Sequence, residues 1–287
     1  MRRNLLIDSN LIVLNITALI FLASNSILCK LAITNNYADA FSFTFLRLLF
    51  GSLTLFFIVS LKYKKIPKAR KKNWCSSFFL FIYAITFSYA YINLDAGIGT
   101  LILFAVVQLT MISYALYNRE KINLKQILGI VISLFGLIYL FYPKDGFYIS
   151  TKGFMLISLA GIAWGIYTIL GKKSRNALVD TNENFLKSIP FLLISILFLP
   201  IDININIDGL ILSFLSGAIT SALGYIIWYK VLNKISIITA GVLQLLVPII
   251  AIFLSIILLN ENITQTLLIS TSLIIFGIYL TIKKSII

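Results

Sequence analysis

Histidine is absent from this chain, and cysteine occurs only twice, at Cys29 and Cys75. Without an imidazole, neither a Cys/His zinc centre nor a His-based catalytic triad can be assembled. Both cysteines stand in or beside apolar runs, with no metal-ligand spacing between them. No metal and no cofactor are expected. Acidic residues are scarce too, ten against 24 Lys and Arg, which leaves a formal charge of +14. No paired carboxylates or activated nucleophile stand out, so an integral membrane enzyme has no constellation to work with.

What the chain has in abundance is apolar sequence. Of 287 residues, 60% are hydrophobic and 12% charged, with a mean hydropathy of +0.99. That is far outside the soluble range. In a soluble protein the positive charge would suggest nucleic acid. Here no soluble module interleaves basic and aromatic residues, so nucleic acid is not an expected partner. The basic residues are read instead as topology signals that touch anionic membrane lipid.

A membrane helix needs roughly 20 apolar residues, so the chain has room for about ten. The runs lie at 11–29, 41–61, 74–92, 98–117, 124–142, 153–171, 185–200, 209–229, 236–259 and 265–282. Met1-Arg2-Arg3 reads as a short basic start, not a cleavable signal, because the first apolar run is too long and lacks a cleavage site. The fold class expected is all-α and integral to the membrane.

The stretch Gly99 to Phe141 recurs without a gap as Ala240 to Ile282. Val106 falls on Val247, Glu120 on Glu261, Ile122 on Ile263, Phe135 on Phe276 and Gly136 on Gly277. Few residues are identical, but the pattern is shared: an apolar run, a Glu at a short polar break, and a second run ending Phe-Gly before a further apolar pair. Such a repeat governs the architecture. Residues 1–142 and 153–287 are read as two five-helix repeats, joined by a linker at 143–152 that carries Pro143, Asp145 and Gly146.

Charge orients the chain. With the N-terminus cytoplasmic, the inner side collects Arg2, Arg3, the dense basic loop at 62–72, Arg119, Lys121, Lys125, Lys172, Lys173, Arg175, Lys230, Lys234, Lys283 and Lys284. The outer side keeps Lys30, Lys144 and Lys152 beside Asp39, Asp95, Asp145, Asp202, Asp208 and Glu261. This bias places the protein in the cell (inner) membrane with both termini cytoplasmic. Five spans per repeat is an odd number, so the repeats are inverted, and Glu120 and Glu261 face opposite sides. Inverted repeats are a signature of secondary transporters, with the site near the midplane.

Motifs in both halves resemble the EamA-like family of the drug/metabolite transporter superfamily. Ala163-Trp164-Gly165 followed by Lys172 resembles that family's helix-opening motif, degraded in the first half to Leu22-Ala23-Ser24-Asn25 and Lys30. Phe45-Leu46-Arg47 is similar to its second-helix arginine motif. Asn118-Arg119-Glu120 and Leu259-Asn260-Glu261 resemble its short "G-E" break, with Gly absent from both copies. Gly224-Tyr225-Ile226-Ile227-Trp228-Tyr229 resembles its eighth helix, and Pro248 its ninth-helix proline. The resemblance implies ten helices in two five-helix repeats and transport of a small molecule, and says little about which one.

A polar group deep in a bilayer demands a reason. Gln108 and Gln244 lie near the middle of their spans, and Pro248 is expected to leave the carbonyl of Gln244 without its helical partner. Either they line a cavity or they tie helices together, with Pro248 a simple kink. Tyr83 and Phe87, Trp164 and Tyr167, Trp228, and Asn25 come from the spans expected to face the interior. Phe87 stands opposite Trp228 in the repeat register. These residues would hold an organic cation or the apolar body of an amino acid, or simply pack. The small-residue stripes Gly161/Gly165 and Ser216/Thr220/Gly224 are read as close helix contacts. Arg47 and Lys187 occupy equivalent repeat positions and are read as gating charges or substrate anchors, or as structural charges snorkelling to helix ends.

All ten acidic residues fall in expected loops or helix ends. No midplane group would then load and unload a proton, which points to facilitated diffusion or exchange of zwitterionic or weakly polar cargo. The function expected is export or exchange of small polar or zwitterionic metabolites such as amino acids. A membrane structural or sensor protein with a fully packed interior is the alternative, and the oligomeric state is open.

Overall fold

The computed structural model describes residues 9–64, 73–120, 123–141, 150–198, 203–260 and 265–282. Glu261, most of the basic loop and most of the expected linker lie outside the described residues. The described chain is helical: α1 Ser9–Thr34, α2 Ala40–Tyr63, α3 Trp74–Ala90, α4 Ala96–Tyr117, α5 Leu124–Phe141, α6 Thr151–Gly171 and α7 Ala177–Ser195. It continues as α8 Ile207–Leu232, α9 Ile237–Leu259 and α10 Gln265–Ile282. Of these, α1, α2, α4, α6, α8 and α9 are long and apolar enough to cross a membrane. Shorter apolar helices run Trp74–Ala90, Leu124–Gly136 and Leu268–Gly277.

Side-chain caps set several helix starts. Asp39 accepts the N–H groups of Phe41 and Ser42, Ser150 that of Gly153, Asn176 that of Val179, Asn206 that of Gly209 and Ser236 that of Thr239. Each satisfies a backbone donor that the first helical turn leaves unpaired. The cap at Asn176 corrects the expected seventh span. The helix begins at Ala177 rather than 185, because hydropathy overlooks the polar run Asp180 to Asn184 that forms its second turn. Likewise, Ser150 places Thr151 and Lys152 in the first turn of α6 rather than in the linker.

The packing pairs the two halves in a consistent way. Helix α3 packs on α6 as α8 packs on α1, α4 packs on α6 as α9 packs on α1, and α3 packs on α7 as α8 packs on α2. Helices α2 and α7, α4 and α9, and α5 and α10 pack on each other. The Gly136 and Gly277 of the sequence repeat meet at the α5–α10 crossing. A Cβ on Gly136 would lie 2.8 Å from the Cβ of Leu273, and one on Gly277 would strike Ser133 and the Gly129 carbonyl. The neighbouring Phe135 and Phe276 point outward, 59% and 52% exposed. Gly161 and Gly165 sit likewise against Leu103, Val106 and Thr110 of α4.

The polar breaks of the repeat share a backbone conformation. Arg119 and Asn260, one residue before each Glu, have φ of 57° and 55°. Glycine adopts that left-handed region freely, whereas a side chain costs roughly 1 kcal/mol or more there. This accounts for a glycine in the family motif.

The loops sort to two ends. At one end Tyr63 accepts a bond from Asn176, Asn73 donates to Glu183, and Lys172 donates to the carbonyls of Leu232 and Ile235. Burial lowers the Lys172 pKa from the ordinary lysine value, and the field of Glu120 acts the other way. At the other end Ala38 bridges Ile205, Gly153 abuts Leu94, and Lys30 donates to the Tyr91 carbonyl at 3.2 Å. Lysines thus close corresponding helix ends in the two halves, where a cation suits the last carbonyls.

Candidate functional site

Helix α2 carries Arg47 two turns from its start, and the side chain is 1% exposed. Its Nε donates to Ser221 Oγ at 3.0 Å, and its Nη2 to the hydroxyls of Tyr83 at 3.2 Å and Tyr225 at 2.7 Å. The guanidinium carbon lies 5.3 Å from the Tyr83 ring centroid and 5.2 Å from that of Phe87. Its Nη1 is buried without a hydrogen-bond partner. Among the described residues no carboxylate pairs with it, and it does not reach a helix end. The snorkelling reading is therefore corrected: neutral hydroxyls from α3 and α8 fix this group in the interior.

Trp164 of α6 joins this cluster to the far side of the bundle. Its ring centroid is 4.8 Å from Tyr83, 4.7 Å from Tyr225 and 5.4 Å from Tyr167. Its Nε1 donates to Gln244 Oε1 at 2.7 Å. The Gln244 amide nitrogen in turn contacts the Met111 sulfur at 3.3 Å and donates to the Ala240 carbonyl at 3.2 Å. A continuous chain of polar and aromatic contacts thus crosses from α2 through α3, α8 and α6 to α9 and α4. Gln108 is buried on α4 with its Nε2 unpartnered.

One expectation about Pro248 is overturned. The Gln244 carbonyl is not free, because Val247 N–H donates to it at 3.0 Å, and Leu245 N–H donates to Val242 at 3.0 Å. The helix tightens to i→i+3 bonding ahead of the proline, which satisfies the carbonyl that Pro248 cannot.

Six rings form a column through the bundle. From Tyr91 to Phe87 the centroid distance is 4.8 Å, to Tyr83 5.3 Å, to Trp164 4.8 Å, to Tyr167 5.4 Å and to Tyr229 5.2 Å. Sequence periodicity had pointed to Trp228 as the α8 contribution. The rings that meet Trp164 and Tyr167 are Tyr225 and Tyr229, while Trp228 is fully buried on the adjoining face with its indole N–H unpartnered. The cause is local: Leu215–Leu223 is π-helical, with the Gly224 N–H bonded to Ile219 five residues back. That geometry shifts the phase of everything beyond it, and such turns occur often at functional sites.

Asn25 is held as a helix tie. Its Oδ1 accepts from Ser216, Thr220 and Ser221 at 2.8, 2.7 and 3.1 Å, joining α1 to the small stripe of α8. Lys187, unlike Arg47, has its own anion, Glu183 Oε2 at 3.1 Å, and sits 5.8 Å from the Trp74 ring. Glu183 is 4% exposed and lies inside α7, which corrects the expectation that every carboxylate sits in a loop or helix end.

A cleft of about 170 Å³ enters from the basic end, lined by Asn73, Gly171, Ser174, Asp180, Asn184 and Tyr229. It stops where Asn184 Nδ2 contacts the hydroxyls of Tyr167 and Tyr229, each at 3.4 Å. A wider apolar cleft of about 900 Å³ between α1, α2 and α8 is rimmed by Lys62, Arg175, Lys230 and Lys234. Among the described residues, no group of three or more His, Cys, Asp or Glu could hold a metal.

Sequence reasoning missed Tyr225 and Ser221 as members of this cluster. Tyr225 lay within the segment already marked at the eighth span, and only the helical phase concealed it.

The EamA-like transporter family model matches residues 10–142 and 151–283. The chain is 36% identical over 273 residues to an uncharacterized protein of Pseudomonas aeruginosa, covering 95% of this chain and 94% of that one. It is 28% identical to a probable amino-acid metabolite efflux pump of Salmonella typhimurium, over 70% of this chain and 72% of that one. A protein of the same description in Escherichia coli is 25% identical over the same shares. One crystal structure aligns with a TM-score of 0.71 over 96% of this chain and 98% of its own, at 16% identity, which shows a shared fold. With both halves matched, their packing paired and a polar chain crossing between them, this multi-pass membrane chain belongs to the EamA-like transporter family.

Proposed function

We propose that this protein exports or exchanges small polar or zwitterionic metabolites, such as amino acids, across the cell membrane. Two inverted five-helix repeats, all ten helices spanning, alternate access to a central site walled by Arg47, Tyr83, Phe87, Gln108, Trp164, Tyr167, Tyr225 and Gln244. The observation that carries this reading is the polar and aromatic chain from Arg47 through Trp164 to Gln244, which draws on both halves at the core. Inversion is supported by the paired packing of the halves and by the sorting of loops to a basic and an acidic end. Both termini then lie on the cytoplasmic side, and the basic rim faces anionic lipid.

A purely structural membrane protein fits less well. Buried polar atoms in a structural core find partners, whereas Arg47 Nη1, Gln108 Nε2 and Trp228 Nε1 have none here. In the transport reading the column of rings is an occluded partition, and the Tyr167–Asn184–Tyr229 contact closes the cleft from the basic end. The test is counterflow in proteoliposomes loaded with each common L-amino acid and with representative amines and nucleosides, supported by a thermal-shift screen with the same compounds. Exchange and stabilisation by at least one amino acid are expected. Absence of both across amino acids, amines and nucleosides would overturn the reading.

A further inference from the structure

Arg47 and Lys187 occupy corresponding positions in the two halves, yet their surroundings differ in one respect. Lys187 is neutralised by Glu183 on its own helix at 3.1 Å. Among the described residues, Arg47 is surrounded by neutral groups only: Ser221, Tyr83 and Tyr225 by hydrogen bond, and the faces of Tyr83 and Phe87. These contacts aim the guanidinium but leave its charge uncompensated. An isolated charge within a bilayer is costly unless an anion joins it. The hydroxyls take the two N–H groups of Nη2 and Ser221 takes that of Nε, so the two N–H groups of Nη1 are the donors left for an anion.

We propose that Arg47 is the anchor for a carboxylate on the transported molecule. The inference rests on the transport reading and narrows it to small monocarboxylates, α-amino acids among them. The carboxylate accepts from the free Nη1 and the apolar body lies against Phe87 and Trp164. Tyr83 and Tyr225 are positioning residues that hold the guanidinium through Nη2. The cargo's carboxylate then supplies the counter-charge that the guanidinium lacks, and in an α-amino acid the ammonium group is paired within the cargo itself. An amine without a carboxylate would set two cations together.

The experiment compares each L-amino acid that shows counterflow with its carboxamide and its decarboxylated amine, as competitors of labelled uptake by the wild-type protein. The acid should compete roughly 10- to 100-fold more strongly than the amide, the scale of one charge-assisted hydrogen-bonded pair. Arg47→Gln should remove that preference, and Arg47→Lys should restore part of it, in variants with wild-type elution on gel filtration. Equal competition by acid and amide at the wild-type protein overturns the inference without needing a variant. So does a folded Arg47→Gln protein that keeps the preference. Uptake of amines but not acids leaves a transporter standing and removes the anchor. Uptake of nothing removes the transport reading and the anchor together.

Discussion

The indole N–H of Trp164 is bonded to the side-chain oxygen of Gln244 at 2.7 Å, with both residues buried. This one bond ties α6 to α9 at the point where the Arg47 cluster meets the opposite wall. A buried donor and acceptor that lose each other are both left unsatisfied, so the bond is worth more to the geometry than its net strength suggests. Gln244→Leu should lower counterflow about tenfold or more, with membrane insertion and gel-filtration profile preserved. Trp164→Phe should show a similar loss. Normal transport by Gln244→Leu would reduce the amide to helix glue.

Arg119 and Asn260 hold left-handed backbone at the matching breaks of the two halves. Arg119→Gly should raise thermal stability, by about 1 kcal/mol. Asn260→Gly should gain less, because asparagine tolerates that conformation better. Melting curves in detergent decide it, and a lower melting temperature for Arg119→Gly would contradict the strain argument.

The two ends of the bundle should face opposite sides of the membrane. In a background with Cys29 and Cys75 replaced by alanine, single cysteines at positions 37 and 206 should react with an impermeant maleimide in intact cells. Cysteines at positions 64 and 175 should react only after permeabilisation. Labelling of 175 and 206 from the same side would refute the inverted arrangement.

Glu183 is buried within α7 and bonded to Lys187 and Asn73, whereas Asp95 is exposed ahead of α4. These bonds tie α7 to the start of α3, and no proton coupling is expected through Glu183. Uptake into proteoliposomes should run at the same rate with and without a pH gradient. Glu183→Leu should cost roughly 3 kcal/mol of stability by stranding a buried cation. Accumulation that appears only with the gradient would overturn this, and Glu183 would then be the first residue to replace.

Much of the architecture was legible in the chain itself. Hydropathy marks the apolar runs because lipid demands them, and the lopsided lysines and arginines mark two ends because charge resists crossing. The repeat at Gly136 and Gly277 could be read because close helix crossings admit only the smallest residue, whatever surrounds them. Those are local requirements, and a sequence displays them directly.

The tertiary structure decided the rest. Which face of α8 turns inward depended on the π-helical stretch Leu215–Leu223, which rotates Tyr225 and Tyr229 into the place that a regular period assigns to Trp228. The start of α7 depended on the Asn176 cap and on partners that let Asn184 and Glu183 be buried. The difference between Arg47 and Lys187 is invisible in their matching positions. A charge is defined by what lies within a few ångströms of it, and those neighbours, Ser221 and Tyr225 for one and Glu183 for the other, are fixed by how distant helices pack.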